Sequence, residues 1–587
     1  MNRTRTIFFV IVGLALLLVC GAIFFSMAGN LLNGTNSSET PASSFSDPSS
    51  VPSGTVLLTI ASSNTKKDWL DLVVEQFNAE EHKTAAGNAI QAEVTHVTSG
   101  GSMNAILDGE LQPVVWSPGD QSWVEQGNAN WKQRTNQPLI SQECPATIYA
   151  PLGFAMWRPM AEAMGWPDTP IGWDTMVELG SNPEGWAAYG HPEWGQFRFG
   201  HTHPGYANSG LLSMTAFVYG VAGKTEGLTA ADAYSPKVEE AMRNLEQVTA
   251  KYGSQAPALL ELMTLQGPSY LHAAAVPEAN VLQYNIQRGD ELRFPLAFIF
   301  PSGGTIWADH PYCILDNAEW VTDEQQEAAA IFRDYLLSAE QQKLAIDNFL
   351  RPLDSNIPLH APLDLGTGTD PRVTTEQIPA LPSPSAEVSE AVVDLFLSTK
   401  RKATVIVALD VSGSMEGDKI RTATQSTADF LKRLYPDDQV ALITFNDEVK
   451  ILSQPDEVRN VVENLSSRVI TLIADGGTSL HGAVCEATQL ADQMKEEDQA
   501  AGENRLYGIV LLSDGMDTEG SPSEGKMFAT CLPSQAEADG VKVFPIAFGE
   551  DADQSVLQRI ANVTGGRLFE ATPDSIDKIY LRISAEQ

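Results

Sequence analysis

A chain of 587 residues is too long for one hydrophobic core, so about three domains are expected. Its 37 Lys and Arg against 75 Asp and Glu give a formal charge of −38, which repels phosphate backbones and excludes nucleic-acid binding. With 43% hydrophobic and 19% charged residues, the composition is that of ordinary globular protein, and the acidity serves solubility, cations or basic partners.

At the N-terminus, Arg3 and Arg5 precede an uncharged apolar run from Ile7 to Met27. That run reaches the roughly 20 residues a helix needs to cross a bilayer and exceeds the about 7–15 of a cleaved signal core. Residues 1–29 are therefore expected to be a transmembrane anchor, with Cys20 buried in the membrane. No Lys or Arg follows until Lys66, so the positive-inside rule puts the body of the chain outside the cytoplasm. A signal peptide cut near Ser26-Met27-Ala28 is the competing expectation.

Residues 30–55 are rich in Ser, Thr, Pro and Asn, hold too few large apolar side chains to bury a core, and read as a linker. A second such stretch, 366–399, separates a middle domain, 56–365, from a C-terminal domain, 400–587. All 11 tryptophans fall between Trp69 and Trp320, which supports the division.

In the middle domain, VLLTIASSNTKKDWLDLVVEQFN reads as strand, Ser62-Ser63 loop and helix. AEVTHVTSGGSMNAIL repeats that order with Ser102 opening a helix, and VVWSPGD sets Trp116 after an apolar pair. IGWDTMVEL, HPGYANSGLLSMTAFVYG with Ser209 before a helix, FIFPSGGTIWADHPYCIL and AAAIFRDYLLSAEQQKLAIDNFLRP follow. Together these stretches resemble the two-lobed extracellular solute-binding proteins of the periplasmic type. The resemblance implies a small-molecule ligand in a cleft between α/β lobes, with Ser63, Ser102, Ser209 and Trp116 as candidate contacts. Each serine could equally serve as a helix cap, and Trp116 could pack between lobes. Exposed amides at helix N-termini favour an anion, but no basic cluster accompanies these loops, so an oxyanion, a sugar and a peptide all stay open.

The C-terminal domain alternates candidate strands (404–409, 440–445, 506–512 and 541–548) with amphipathic stretches at 419–434, 480–494 and 525–538. This order predicts a doubly wound parallel sheet with helices on both faces, whose ligands bind beyond the carboxyl ends of the strands. DVSGS places Asp410, Ser412 and Ser414 there, GGTSLHGA places Thr478 before a helix, and LLSDG places Asp514 after a strand. These five residues resemble the metal-ion-dependent adhesion site of von Willebrand factor A-type domains. The resemblance implies Mg²⁺, or another divalent cation such as Ca²⁺ or Mn²⁺, on the hydroxyls of Ser412, Ser414 and Thr478, with Asp410 and Asp514 acting largely through waters. It also implies a protein partner that supplies an Asp or Glu carboxylate. Asp517 and Glu519 either tune the site or lie in a solvated loop. His481 is the one base near it in sequence, and with no Ser-His-Asp, HExxH or Walker pattern the chain is not expected to be an enzyme.

Cys144, Cys313, Cys485 and Cys531 are either two disulfides, one in each domain, or buried thiols. The whole reads as a membrane-anchored, extracytoplasmic binding or adhesion protein at a cell surface. The alternative is the substrate receptor of a transport system, with the C-terminal domain as a docking module.

Overall fold

Apolar runs broken by small polar loops become strands that end where those loops begin. In the computed structural model the described residues are 45, 52–373, 377–503, 505–532, 540–549, 552–572, 576, 579 and 583. The N-terminal run Ile7–Met27, expected as an anchor, lies outside them. Among the described residues, no helix is long and apolar enough to cross a membrane.

The two-lobed part opens with β1 (Thr55–Ser62), β2 (Ala89–His96) and β3 (Val115–Ser117). It continues with β4 (Ala150–Trp157), β5 (Phe199–Thr202), β6 (Thr249–Gly253), β7 (Ala273–Pro277), β8 (Leu296–Ile299), β9 (Trp307–Ala308) and β10 (Cys313–Ile314). The first lobe is a sheet in the order β10-β3-β1-β2, parallel except for β10, and the second runs β6-β5-β7-β4-β8 with β9 on β4. Helix Lys67–Ala79 buries Trp69, Leu70, Val73, Val74 and Phe77, the three-to-four spacing of an amphipathic helix laid on a sheet. The chain crosses between lobes before β4 and after β9, and helices Asp323–Leu336 and Ala339–Asp347 pack back on the first lobe. Arg351, just beyond them, forms a buried fork with Glu278, Nε to Oε2 at 2.7 Å and Nη2 to Oε1 at 2.9 Å.

Part of the stretch expected as a second linker is ordered. Ser385 accepts a hydrogen bond from the Val388 N–H and starts helix Ala386–Thr399, which buries Val388, Ala391, Val392, Leu395 and Phe396 against helices of both lobes. The Pro- and Ser-rich residues before it mask this apolar stripe in the composition.

The C-terminal sheet holds β11 (Ala403–Asp410), β12 (Gln439–Phe445), β13 (Val449–Glu457), β14 (Leu506–Ser513), β15 (Lys542–Phe548) and β16 (Phe569–Ala571). Their order is β13-β12-β11-β14-β15-β16, parallel except for the edge strand β13. Along β11, Val405, Val407 and Leu409 face one core and Ile406 and Ala408 the other, so the strand is apolar throughout because both faces are covered. Helices Asp418–Arg433 and Val458–Val469 cover the first face, and Leu480–Ala501 and Gln554–Thr564 the second, a doubly wound α/β domain.

Both cysteine pairs are disulfides, Cys144–Cys313 and Cys485–Cys531, with Cα separations of 4.7 and 4.9 Å. The second is possible because helices Leu480–Ala501 and Glu524–Thr530 lie on one face of the sheet.

The second lobe meets the C-terminal domain at the amino ends of its strands. His203 Nε2 and Tyr435 Oη are 2.9 Å apart, and Arg401 Nη1 donates to the Thr249 carbonyl at 3.5 Å. Burial, with Lys400 and His201 nearby, holds His203 down to about 3, so the imidazole at this seam is neutral.

Candidate functional site

β11 and β14 are adjacent and in register up to Leu409 and Leu512, so Asp410 and Asp514 emerge side by side on the carboxyl rim of the sheet. Asp410 accepts the Ser412 N–H on Oδ1 at 2.9 Å and the Ser513 hydroxyl on Oδ2 at 2.6 Å. The Ser412 and Ser414 hydroxyls are 3.0 Å apart, and Ser414 donates to Asp514 Oδ1 at 2.7 Å. Four of the five expected residues thus form one hydrogen-bonded cluster. Its floor is buried at Asp410, Ser412 and Asp514, and its mouth is the exposed Ser414. Burial raises the Asp410 carboxyl and the charge of Asp514 adds to it, against the hydrogen bonds from Ser412 and Ser513.

Thr478 enters from the neighbouring loop. The Gly413 N–H donates to Gly476 O and the Asp475 N–H to Val411 O, both at 2.9 Å, which sews the loop before Thr478 to the DVSGS turn. The Thr478 backbone is held by Thr518 through two hydrogen bonds, at 2.7 and 2.9 Å. Asp517 accepts the His481 N–H at 2.9 Å and so ties down the start of helix Leu480–Ala501, while Glu519 is exposed. His481 Nδ1 lies 3.1 Å from the Pro522 carbonyl and 3.5 Å from Asp517 Oδ2, so the imidazole is held within the loop that starts this helix.

The donor set fits a hard divalent cation. It has two carboxylates and several hydroxyls, and among the described residues no cluster of three or more His, Cys, Asp or Glu competes with it as a metal centre. Small oxygen ligands suit Mg²⁺, and hydroxyls coordinate without cancelling its charge. A cation is already accommodated here: Lys419 Nζ lies 2.6 Å from Asp514 Oδ2.

The four residues expected to line the cleft are not brought to one point. Ser102 and Trp116 bond to each other inside the first lobe, Nε1 to Oγ at 2.9 Å, with Gly127 leaving room for the indole; the ring packs within that lobe, not between lobes. Ser209 pairs with Thr202 in the second lobe at 2.7 Å. Ser63 borders a buried cluster that the motif reading missed. Lys66 Nζ donates to Ser63 Oγ at 3.0 Å and to Ser117 O at 2.9 Å, and lies 3.3 Å from His310 Nδ1, itself 3.1 Å from Ser63 Oγ. Burial brings Lys66 down to about 7, partly opposed by Asp309; Asp309 is pushed up to about 7 by burial and by Asp120. His310 sits at φ 45°, in the left-handed region that favours glycine, and its Nε2 is buried without a hydrogen-bond partner, as is Asn64 Oδ1.

The lobes touch across this cleft. Asn64 Nδ2 donates to Gln255 Oε1 and Trp123 Nε1 to Asn208 Oδ1, each at 2.9 Å, and the Gly100 N–H donates to Tyr206 O at 3.3 Å. A Cβ on Gly100 would stand 3.0 Å from two carbonyl oxygens of the opposite lobe, which explains a glycine at that contact.

The family described as "Bacterial extracellular solute-binding protein" matches residues 58–351, half of the chain. The chain belongs to this family. Beyond the solute-binding part, the description "von Willebrand factor type A domain" matches residues 404–580. Over 186 residues, 30% of this chain, it is 29% identical to an inter-alpha-trypsin inhibitor heavy chain 4 of Mus musculus, of whose length it spans 19%. Among solved structures, the periplasmic binding protein AfuA from Actinobacillus pleuropneumoniae is 13% identical and covers 59% of this chain and 99% of its own, with a TM-score of 0.40. A von Willebrand factor type A protein from Catenulispora acidiphila is 18% identical, covers 32% of this chain and 43% of its own, and has a TM-score of 0.28.

Proposed function

We propose that this solute-binding family member is an extracytoplasmic adhesion protein, anchored through Ile7–Met27, whose C-terminal rim binds a divalent cation and through it a protein partner. The observation that carries the reading is the hydrogen-bonded cluster of Asp410, Ser412, Ser414 and Asp514. Ser412, Ser414 and Thr478 would hold Mg²⁺, or Ca²⁺ or Mn²⁺ in its place, with Asp410 and Asp514 orienting the hydroxyls. The bound cation would supply an electrophilic position for an Asp or Glu carboxylate of the partner. Position supports the role as well. The two-lobed part packs at the amino ends of the strands, and eight residues of β11, roughly 25 Å of strand, separate that seam from the rim.

A second reading, a transport receptor with the C-terminal domain as docking module, draws on the cleft. With His310 Nδ1 facing Lys66 and Ser63, the unpartnered Nε2 is left as a donor, and Asn64 Oδ1 as an acceptor, for a small polar solute.

Calorimetric titration of Mg²⁺ into wild type and Asp410→Ala tests the first reading. Wild type is expected to bind and the variant not, with a stability loss of about 2–3 kcal/mol from the two lost hydrogen bonds. Equal binding by both proteins would overturn it.

A further inference from the structure

We infer that Lys419 is a built-in competitor of the metal: its ammonium holds Asp514 in the metal-free protein and has to leave for the rim to load. The inference rests on the metal reading of this site.

Lys419 is the second residue of helix Asp418–Arg433, immediately after the DVSGS turn. A cation in the first turn of a helix is poorly placed, because the amide ends there carry partial positive charge. Its side chain does not run out to solvent to relieve this. Gly417, which caps the helix two residues earlier, sits at φ 88° in the left-handed region that favours glycine, and the lysine reaches back to the rim. On the way its stem crosses the end of β15, where a Cβ on Gly549 would come within 3.6 Å of Cε. At its end Nζ lies 2.6 Å from Asp514 Oδ2, the oxygen that Ser414 leaves free. The Asp514 side chain is wholly buried, while that of Lys419 is 31% exposed, so the lysine has a path to water and the carboxylate has none.

Two buried carboxylates stand side by side on this rim, and among the described residues Lys419 is the one cation paired with either. Without it, Asp514 would be a buried charge balanced only by a hydroxyl, a costly arrangement. A divalent ion held by Ser412 and Ser414 would come within a few Å of Nζ and draw on the same carboxylate. The two cations repel each other at that range, so they alternate. Metal-free protein therefore keeps its rim in order, and the site fills only where divalent cation is plentiful enough to displace the lysine.

The test is Mg²⁺ and Mn²⁺ calorimetry on the whole chain, comparing wild type, Lys419→Met and Lys419→Arg, with melting of each in chelator. Lys419→Met is expected to bind metal about tenfold more tightly, since removal of a like charge a few Å away favours the ion, and to melt lower without it. Lys419→Arg should stay close to wild type. A structural role alone would lower the melting temperature without raising affinity, so equal or weaker binding by Lys419→Met overturns the inference while the metal reading stands. If neither protein binds metal, both readings fall. A readout on wild type needs no variant to fold: acetylation of Lys419, followed by mass spectrometry, should speed up severalfold on saturation with Mg²⁺. An unchanged rate in protein that binds metal calorimetrically also overturns the inference.

Discussion

The cleft and the rim both begin as a strand running into a small polar loop, yet they use their polar atoms in opposite ways. In the cleft, the Lys66 ammonium is fully buried and donates to Ser63 and Ser117, and the lobes bond directly to each other through Asn64, Gly100 and Trp123. On the rim, the cluster opens to solvent at Ser414, and the cation paired with it among the described residues, Lys419, is itself part exposed. A buried polar group has to find its partner within the fold, whereas a group at a sheet edge can exchange a partner for a ligand. Charge in the cleft therefore serves the closed fold first, and charge on the rim is available for exchange.

The sharpest way to break this contrast is to remove a charge that the interior cannot spare. Arg351→Ala strands the Glu278 carboxylate among buried atoms, and chemical denaturation should show a loss of about 3–5 kcal/mol. A loss under 1 kcal/mol would mean that the two-lobed interior does not depend on pairing its buried charge.

Lys66 gives the next largest effect, and it depends on pH. Its value falls from 10.5 in the unfolded chain to about 7 in the fold, so between those values the unfolded chain carries a proton the fold lacks. Stability from this group rises with pH across about 7 to 10.5 and is at its lowest below 7. The wild-type stability relative to Lys66→Met should climb on the order of 2–4 kcal/mol over that window in denaturant titrations at stepped pH. A flat difference would show that the cleft cation is solvated after all.

The smallest effect tests whether the regions are separate. All 11 tryptophans lie in the two-lobed part, so Mg²⁺ on the rim should leave intrinsic fluorescence nearly unchanged, whereas a solute that rearranges the cleft should change it. A large Mg²⁺-induced change would show that the regions are coupled.

Much of the fold was legible along the chain, for reasons particular residues make plain. β11, β12, β14 and β15 are apolar runs of strand length because both faces of a doubly wound sheet are buried, and helices with regular apolar spacing separate them. The edge strand β13, VKILSQPDE, was not legible, since a half-exposed antiparallel edge carries polar residues and even a proline. Helix Ala386–Thr399 was hidden by the Pro- and Ser-rich residues before it and needs both lobes to bury its stripe.

The candidate sites divide along the same line. Asp410, Ser412 and Ser414 lie within five residues of one another after a strand, so sequence alone determined their placement at a strand's carboxyl end, and it likewise set Thr478 and Asp514 at the ends of neighbouring elements. It could not determine which cation rests on Asp514, because Lys419 reaches back only through the turn at Gly417. Nor could it find the cleft cluster: Lys66 and His310 are 244 positions apart and meet only because the chain crosses between lobes and returns. Short-range order follows from the spacing of apolar and polar residues, but the partner of a buried charge is whichever group the closed core brings within hydrogen-bond reach, and only the tertiary structure decides that.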